Sequence, residues 1–257
     1  MSERVSTRQA QGDTETALHP PRRRVTSFVH QRNRFTEGQA HAWQRLWPAY
    51  GIDVADVVSG AVAYDPPAWF GRRAPLVLEI GSGTGESTAA QAAAAPDTDH
   101  LAVEVFEPGL AQLLMRIEDA ALTNLRLLRG DAVDLLRERV PPDSLAAVRI
   151  FFPDPWPKRR HHKRRLVQAG FVALVASRLA PGGVLHLSTD WAHYASQMWA
   201  ACAGEPLLEN TSTSEDGWTA RPAERPETKF ERRARSEGRD VRDLVFRRIV
   251  APHTFTH

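Results

Sequence analysis

The sequence predicts a doubly wound α/β fold, a mostly parallel sheet with helices on both faces and a late antiparallel strand. Three observations carry this prediction. From Pro75 onward, short apolar runs alternate with helical stretches. The apolar runs are continuous rather than alternating, which is the pattern of strands buried on both faces. The first of them leads into Gly81-Ser-Gly-Thr-Gly85, a turn of the kind that joins a strand to a helix where backbone meets ligand.

Residues 1–26 are polar and arginine-rich without apolar periodicity, so they read as a disordered basic arm. Residues 27–74 read as a helical extension. A helix is expected there from Thr36 to about Tyr50, with Thr36 as N-cap and Trp43, Leu46 and Trp47 sharing a face. Residues 75–250 form the sheet domain. Buried parallel strands are expected at Leu76–Ile80, Leu101–Val105, Leu125–Leu128, Ala146–Phe152 and Val184–Ser188. Helices are expected near Glu86–Ala95, Gly109–Ala121, Val133–Arg139, Leu166–Leu179 and Trp191–Ala203, with Pro181-Gly-Gly183 as a helix-to-strand turn. Pro206–Ser214 and Leu244–Val250 read as a hairpin closing one sheet edge.

Hydrophobic residues make up 42% of the chain, and no apolar run reaches membrane length. That composition points to a globular protein away from the membrane. A lone cysteine, Cys202, excludes an internal disulfide and offers no metal cluster, which fits a reducing compartment. No apolar segment follows the basic N-terminus, so a cytoplasmic location is expected. The net charge is only +2, so the placement of charge matters more than its total. Three of the 33 basic side chains are lysines, Lys158, Lys163 and Lys229. In a chain that otherwise uses arginine, these positions read as places that need a compact ammonium.

The glycine turn discriminates between nucleotides. A dinucleotide fingerprint needs G-x-G-x-x-G, but here Gly81, Gly83 and Gly85 are followed by Glu86 in the third-glycine slot. Glu79 stands just before the turn. Two carboxylates repel a pyrophosphate and attract a ligand bearing an ammonium and a sulfonium, so the balance favours S-adenosylmethionine. Glu104 ends the second strand about 20 residues on, where an acid accepts ribose hydroxyls. Asp131 ends the third, placed to receive an adenine amino group. Singly, each acid is equally a strand-end residue or a helix N-cap. Together they follow successive strands of one sheet, whose carboxyl ends are where ligands bind.

The fourth strand runs into Phe152-Pro-Asp-Pro-Trp-Pro-Lys158 and then Arg159-Arg-His-His-Lys-Arg-Arg165. Three prolines stiffen the loop around Asp154 and Trp156. The cations that follow suit a polyanion, or else form a solvated charged face. With Thr189-Asp190 and Arg225-Pro-Glu-Thr-Lys-Phe-Glu231, these segments resemble the bacterial tRNA (guanine-N7)-methyltransferases. The likeness extends to Ser27-Phe-Val, Thr36-Glu-Gly-Gln39 and Asp243-Leu, spanning roughly residues 25–248. Ser82 and Thr84 stand where the family carries bulkier residues, and Ala234 where it carries a glycine.

The resemblance implies a class I Rossmann-like fold, S-adenosylmethionine as cofactor, and methylation of guanine 46 in the tRNA variable loop. It implies that Glu79, Glu104, Asp131 and Asp154 contact the cofactor, with Gly81, Gly83 and Gly85 shaping its loop. Lys158, Asp190, Thr228, Lys229, Phe230 and Glu231 then bind substrate. Arg160, His161, His162, Lys163, Arg164 and Arg165 contact RNA, and Asp154 is the active-site acid. tRNA is the expected partner, with no obligate protein subunit.

The chemistry refines one role. Guanine N7 carries a lone pair and no proton, so no base is needed to create the nucleophile, and alignment is the main task. Asp154 therefore reads as an acceptor for guanine N1–H and N2–H₂. Trp156 either stacks on the base or packs the loop. Arg159 and Arg160 meet phosphate or solvent, and Arg22-Arg-Arg24 either embraces tRNA or stays disordered. His161 and His162 lack a third ligand, so no metal is expected. Competing readings are a methyltransferase for another RNA base, a small molecule or a protein, and a non-catalytic RNA-binding module. A small-molecule or protein methyltransferase does not need the basic run, and an RNA-binding module does not need three acids in register. The glycine spacing disfavours a dehydrogenase.

Overall fold

The computed structural model describes residues 34–250, so the arm at 1–26 and the segment Ser27-Phe-Val lie outside the described residues. The described residues open on α1 (Glu37–Tyr50), whose N-cap is Thr36 as expected. Thr36 Oγ1 accepts from the Gln39 N–H, while Gln39 Oε1 accepts from the Thr36 N–H, a reciprocal capping box. β1 (Gly51–Asp53), α2 (Val54–Ser59) and α3 (Pro66–Phe70) follow. None of these three was visible in the sequence, because three to six residues are too few to show a period.

The alternating region begins with β2 (Leu76–Ile80) and α4 (Glu86–Ala94). It continues through β3 (Asp99–Glu104), α5 (Glu107–Asp119), β4 (Leu125–Arg129) and α6 (Ala132–Glu138). Then come β5 (Leu145–Phe151), a 3-10 turn at Arg159–Arg164, α7 (Ala169–Arg178) and β6 (Leu179–Thr189). The last elements are α8 (Ala192–Ala203), β7 (Leu208–Asn210), α9 (Lys229–Ser236) and β8 (Arg242–Arg248).

Among the described residues, eight strands join one sheet in the order β1-β4-β3-β2-β5-β6-β8-β7. Every pairing from β1 to β6 is parallel, whereas β8 runs antiparallel between β6 and β7. The order reverses at β2, which pairs with β3 on one side and β5 on the other. That reversal opens a crevice at the strand carboxyl ends. Strand alternation sends apolar side chains both ways. Leu101, Val103 and Leu128 join a core with α2, α6, α7 and α8, while Ala102, Leu125 and Leu127 join a second core with α4 and α5.

Two expectations are corrected here. Pro181-Gly-Gly183 does not separate helix from strand: β6 starts at Leu179, which pairs with Leu145, and Val184 pairs with Ala147. The turn is therefore an outward bulge within the strand, with Gly182 at φ +82°. The helix expected from Leu166 begins at Ala169, after an extended N-cap at Gln168, while Val167 donates its N–H to the Tyr194 hydroxyl at 3.0 Å instead of to a helical carbonyl. Among the described residues, no helix is long and apolar enough to cross a membrane.

Candidate active site

A cavity of about 390 Å³ lies at the carboxyl ends of β2, β3, β4 and β5. Its size falls in the usual range for small-ligand sites. Its rim carries acids from successive strands, and Glu104, Asp131 and Asp154 all line it. Gly81 and Gly83 also line it, whereas Gly85 does not. Gly85 is the left-handed N-cap of α4, and a Cβ there would sit 2.3 Å from Leu113. Its role is to let α4 pack closely on α5. Gly109, unnoticed in the sequence, does similar work: a Cβ would come within 2.2 Å of the Gly83 carbonyl.

The acids differ in what already holds them. Glu104 Oε2 accepts from the Gly83 N–H at 2.8 Å, and Oε1 accepts from the Val105 and Phe106 N–H groups. Its carboxylate thus fixes the glycine turn while one lone-pair direction remains for a ligand. Asp131 Oδ1 caps α6 through the Val133 N–H at 2.8 Å, so it is both an N-cap and a cavity-lining acid. Glu79 is buried at 5% exposure beside a side recess of about 40 Å³. The recess also receives Ser82, whose Oγ is buried without a hydrogen-bond partner among the described residues.

Burial pushes the Glu79 carboxyl up to about 7, against the Thr88 hydroxyl donating to it and the charge of Arg149. The folded protein therefore holds a proton that the unfolded chain releases near the ordinary value of 4.5. Stability from this group is full below 4.5 and falls as pH rises through about 7. Glu79→Gln should flatten that dependence and be more stable than the parent at pH 8, by on the order of 1–3 kcal/mol. Urea unfolding at pH 5 and pH 8 checks this, and parallel pH profiles for the two proteins would overturn it.

Asp154 stands exposed at the cavity mouth, in a loop whose partial burial of the carboxyl raises its pKa. Phe152 and Trp156 flank it with φ of 50° and 44°, in the left-handed region that bulky residues avoid. Such backbone costs about 1–3 kcal/mol per residue and persists only where neighbours over-determine it. The Phe152 ring faces Phe230 at 6.1 Å between centroids and 24° between planes. Phe230 is 50% exposed and Lys229 lines the same cavity. Trp156 is turned into its own loop, with the Arg164 guanidinium 4.8 Å from its ring centroid and His161 edge-on at 5.8 Å.

Other predicted site residues take supporting places. Thr228 caps α9 by accepting from the Glu231 N–H. Glu231 is 1% exposed, with Oε2 taking a hydrogen bond from Arg225 and Oε1 one from Arg235. Arg225 also donates to Asp243 Oδ2 at 2.8 Å, and its Nε lies 2.8 Å from Oδ1 without pointing its N–H there. His186 completes the network at 2.8 Å from Asp243 Oδ1. Asp190 accepts from Arg239 at 2.9 Å. Glu86, in the third-glycine slot, receives the Lys229 N–H and the Arg232 guanidinium, which docks α9 beside the cavity.

The basic run divides in space. Lys158, Arg159, Arg160, Lys163 and Arg164 are exposed. His161 and His162 are half-buried, with His162 packed on His193 at 4.9 Å. Arg165, expected at the RNA surface, is instead 1% exposed and turned inward. Among the described residues, no group of three potential metal ligands is assembled. The network around Arg225 escaped the sequence because its members are 57 residues apart from His186 to Asp243.

A reversed parallel sheet with three acids around its crevice, and an unpartnered polar recess beside a fourth, defines a class I methyltransferase that uses S-adenosylmethionine. Residues 73–244 match a family model described as "Putative methyltransferase". A tRNA (guanine-N(7)-)-methyltransferase of Bordetella pertussis is 50% identical over 224 residues, covering 87% of this chain and 85% of that protein. The protein of the same name from Alkalilimnicola ehrlichii is 49% identical over 244 residues, 95% of this chain and 99% of its own. A solved structure, the 16S rRNA methyltransferase KamB, is 15% identical with a TM-score of 0.48, covering 68% of this chain and 88% of that one. The chain belongs to the tRNA (guanine-N(7)-)-methyltransferase family.

Proposed function

We propose that this protein methylates N7 of guanine 46 in the variable loop of tRNA. The observation that carries the reading is the placement of Asp154, at the mouth of an acid-lined cavity and directly before five exposed cations. One acid at the boundary between a nucleoside site and a polyanion surface suits a base delivered from RNA.

Glu104 and Asp131 would hold the hydroxyls and base of the cofactor, Gly81 and Gly83 its close backbone approach, and Glu79 with Ser82 its charged tail. S-adenosylmethionine supplies an electrophilic methyl group on a sulfonium. The chain's own work is to orient the guanine. Phe152 and Phe230 offer two aromatic faces to the entering base, and stacking of this kind contributes about 1–3 kcal/mol per base. Asp154 accepts from N1–H and N2–H₂, an edge adenine lacks, and its negative charge favours the positive charge that grows on the ring. Lys229 lines the same cavity and Lys158 follows in the same loop, while Asp190, Thr228 and Glu231 hold the surrounding loops in place. Lys158, Arg159, Arg160, Lys163 and Arg164 neutralise phosphates, with His161 and His162 anchoring the turn that carries them.

The test is to incubate the protein with methyl-labelled S-adenosylmethionine and unmodified tRNA, then map the modified base. Label on N7 of guanine 46 is expected. No label in tRNA, or label on adenine, would sink the reading, and label on another guanine would overturn the position alone.

A further inference from the structure

Arg165 ends the basic run in sequence but leaves it in space. Its neighbours Lys163 and Arg164 are exposed, whereas Arg165 is 1% exposed. Its Nε donates to the Pro155 carbonyl at 2.8 Å, and Nη1 donates to Gln197 Oε1 at 2.7 Å. Nη1 also lies 2.9 Å from His193 Nδ1, which must be the unprotonated ring nitrogen to accept from it. The guanidinium sits 4.8 Å from the Tyr194 ring centroid. Every one of these partners is neutral, and Nη2 is buried with no partner at all among the described residues.

A buried cation without a carboxylate is a costly arrangement. A residue whose work was to meet phosphate would gain nothing from it. What the arrangement does achieve is a tie between one backbone carbonyl and α8. That carbonyl belongs to Pro155, the residue directly after Asp154. α8 is in turn fixed to the sheet by Tyr194 and Met198, both fully buried. The loop being tied is the one whose Phe152 and Trp156 have positive φ on either side of Asp154. Three prolines limit where such a loop can relax, but they do not choose its position relative to the sheet. Arg165 does.

We infer that Arg165 is a positioning residue, holding Asp154 at the cavity mouth through the Pro155 carbonyl, and that it makes no RNA contact. The inference rests on the reading of Asp154 as the group that orients guanine. A lysine cannot replace it, because one ammonium does not span Pro155, Gln197 and His193 as a fork does.

The experiment compares Arg164→Ala, Arg165→Lys, Arg165→Met, Asp154→Ala and the double variant Asp154→Ala/Arg165→Lys in the full chain. tRNA affinity is measured across salt concentrations, and kcat and KM are measured on tRNA. Arg164→Ala should weaken tRNA binding and make the slope of log affinity against log salt shallower by about 0.9. Arg165→Lys and Arg165→Met should leave that slope unchanged while kcat falls about 100-fold, the scale of an ångström's misplacement. In the Asp154→Ala background, Arg165→Lys should lower kcat no further, because the two residues act as one unit. General destabilisation would lower kcat in both backgrounds, so an additive double variant overturns the inference. So does a slope change in Arg165→Lys equal to that of Arg164→Ala, or full kcat in Arg165→Lys. Arg165→Lys carries these outcomes even where Arg165→Met does not fold. If Asp154→Ala itself keeps full turnover, the reading of Asp154 fails, which is a separate result.

Discussion

Asp154→Asn is expected to lower kcat/KM on tRNA by about 10²–10³-fold, the effect of removing one preorganised polar contact to the reacting group. The substitution keeps the size of the side chain and the loop that carries it. It replaces one acceptor oxygen with a donor that faces the N–H groups of guanine. The same amide suits adenine, which presents an acceptor at N1 and a donor at N6. Selectivity for guanine over adenine should therefore fall further than turnover alone explains, since sites built around specific hydrogen bonds reject analogues strongly. The measurement is methyl transfer to tRNA carrying guanine or adenine at the target position. A variant with full turnover and full selectivity would show that Asp154 does not orient the base.

Arg225→Met is expected to destabilise the protein by about 3–5 kcal/mol, because it removes the buried cation shared by Glu231 and Asp243, leaving Asp243 with His186 and Glu231 with the more exposed Arg221 and Arg235. The Arg225 side chain is fully buried, and both acids are 2% exposed. Methionine restores much of the volume, so the loss reports charge rather than a cavity. The site should suffer as well. The guanidinium lies 5.7 Å from the Phe151 ring centroid and 6.0 Å from that of Phe152, beneath the cavity lining. It also fixes Glu231, three residues after the Thr228 cap that starts α9. Urea unfolding gives the stability change, and KM for tRNA reports the freed Lys229–Phe230 segment. A loss under about 1 kcal/mol would mean that His186, Arg221 and Arg235 satisfy the two acids without Arg225.

The contrast between Arg164 and Arg165 shows where sequence reading stops. Both follow the same histidine pair, and nothing in composition or spacing separates them. One lies over Trp156 on the surface, and the other passes beneath the loop to α8. Glu231 makes the same point. The family resemblance implied a substrate contact there, but α9 turns Glu231 inward onto Arg225 and Arg235. Short elements were also illegible. β1 exists because it pairs with β4 at the sheet edge, not because three residues prefer to be extended.

By itself the sequence determined the layered fold, the glycine turn, and the acids that close successive strands, because these follow from local periodicity and from the address of each acid after a strand. It also marked the proline-stiffened loop that carries Asp154. The tertiary structure alone decided which charges face solvent and which are spent inside. That choice depends on partners far apart in the chain: Arg165 on α8, Arg225 on Asp243, Glu86 on α9. A guanidinium reads the same in any sequence, and only packing determines whether it meets a phosphate or a carbonyl.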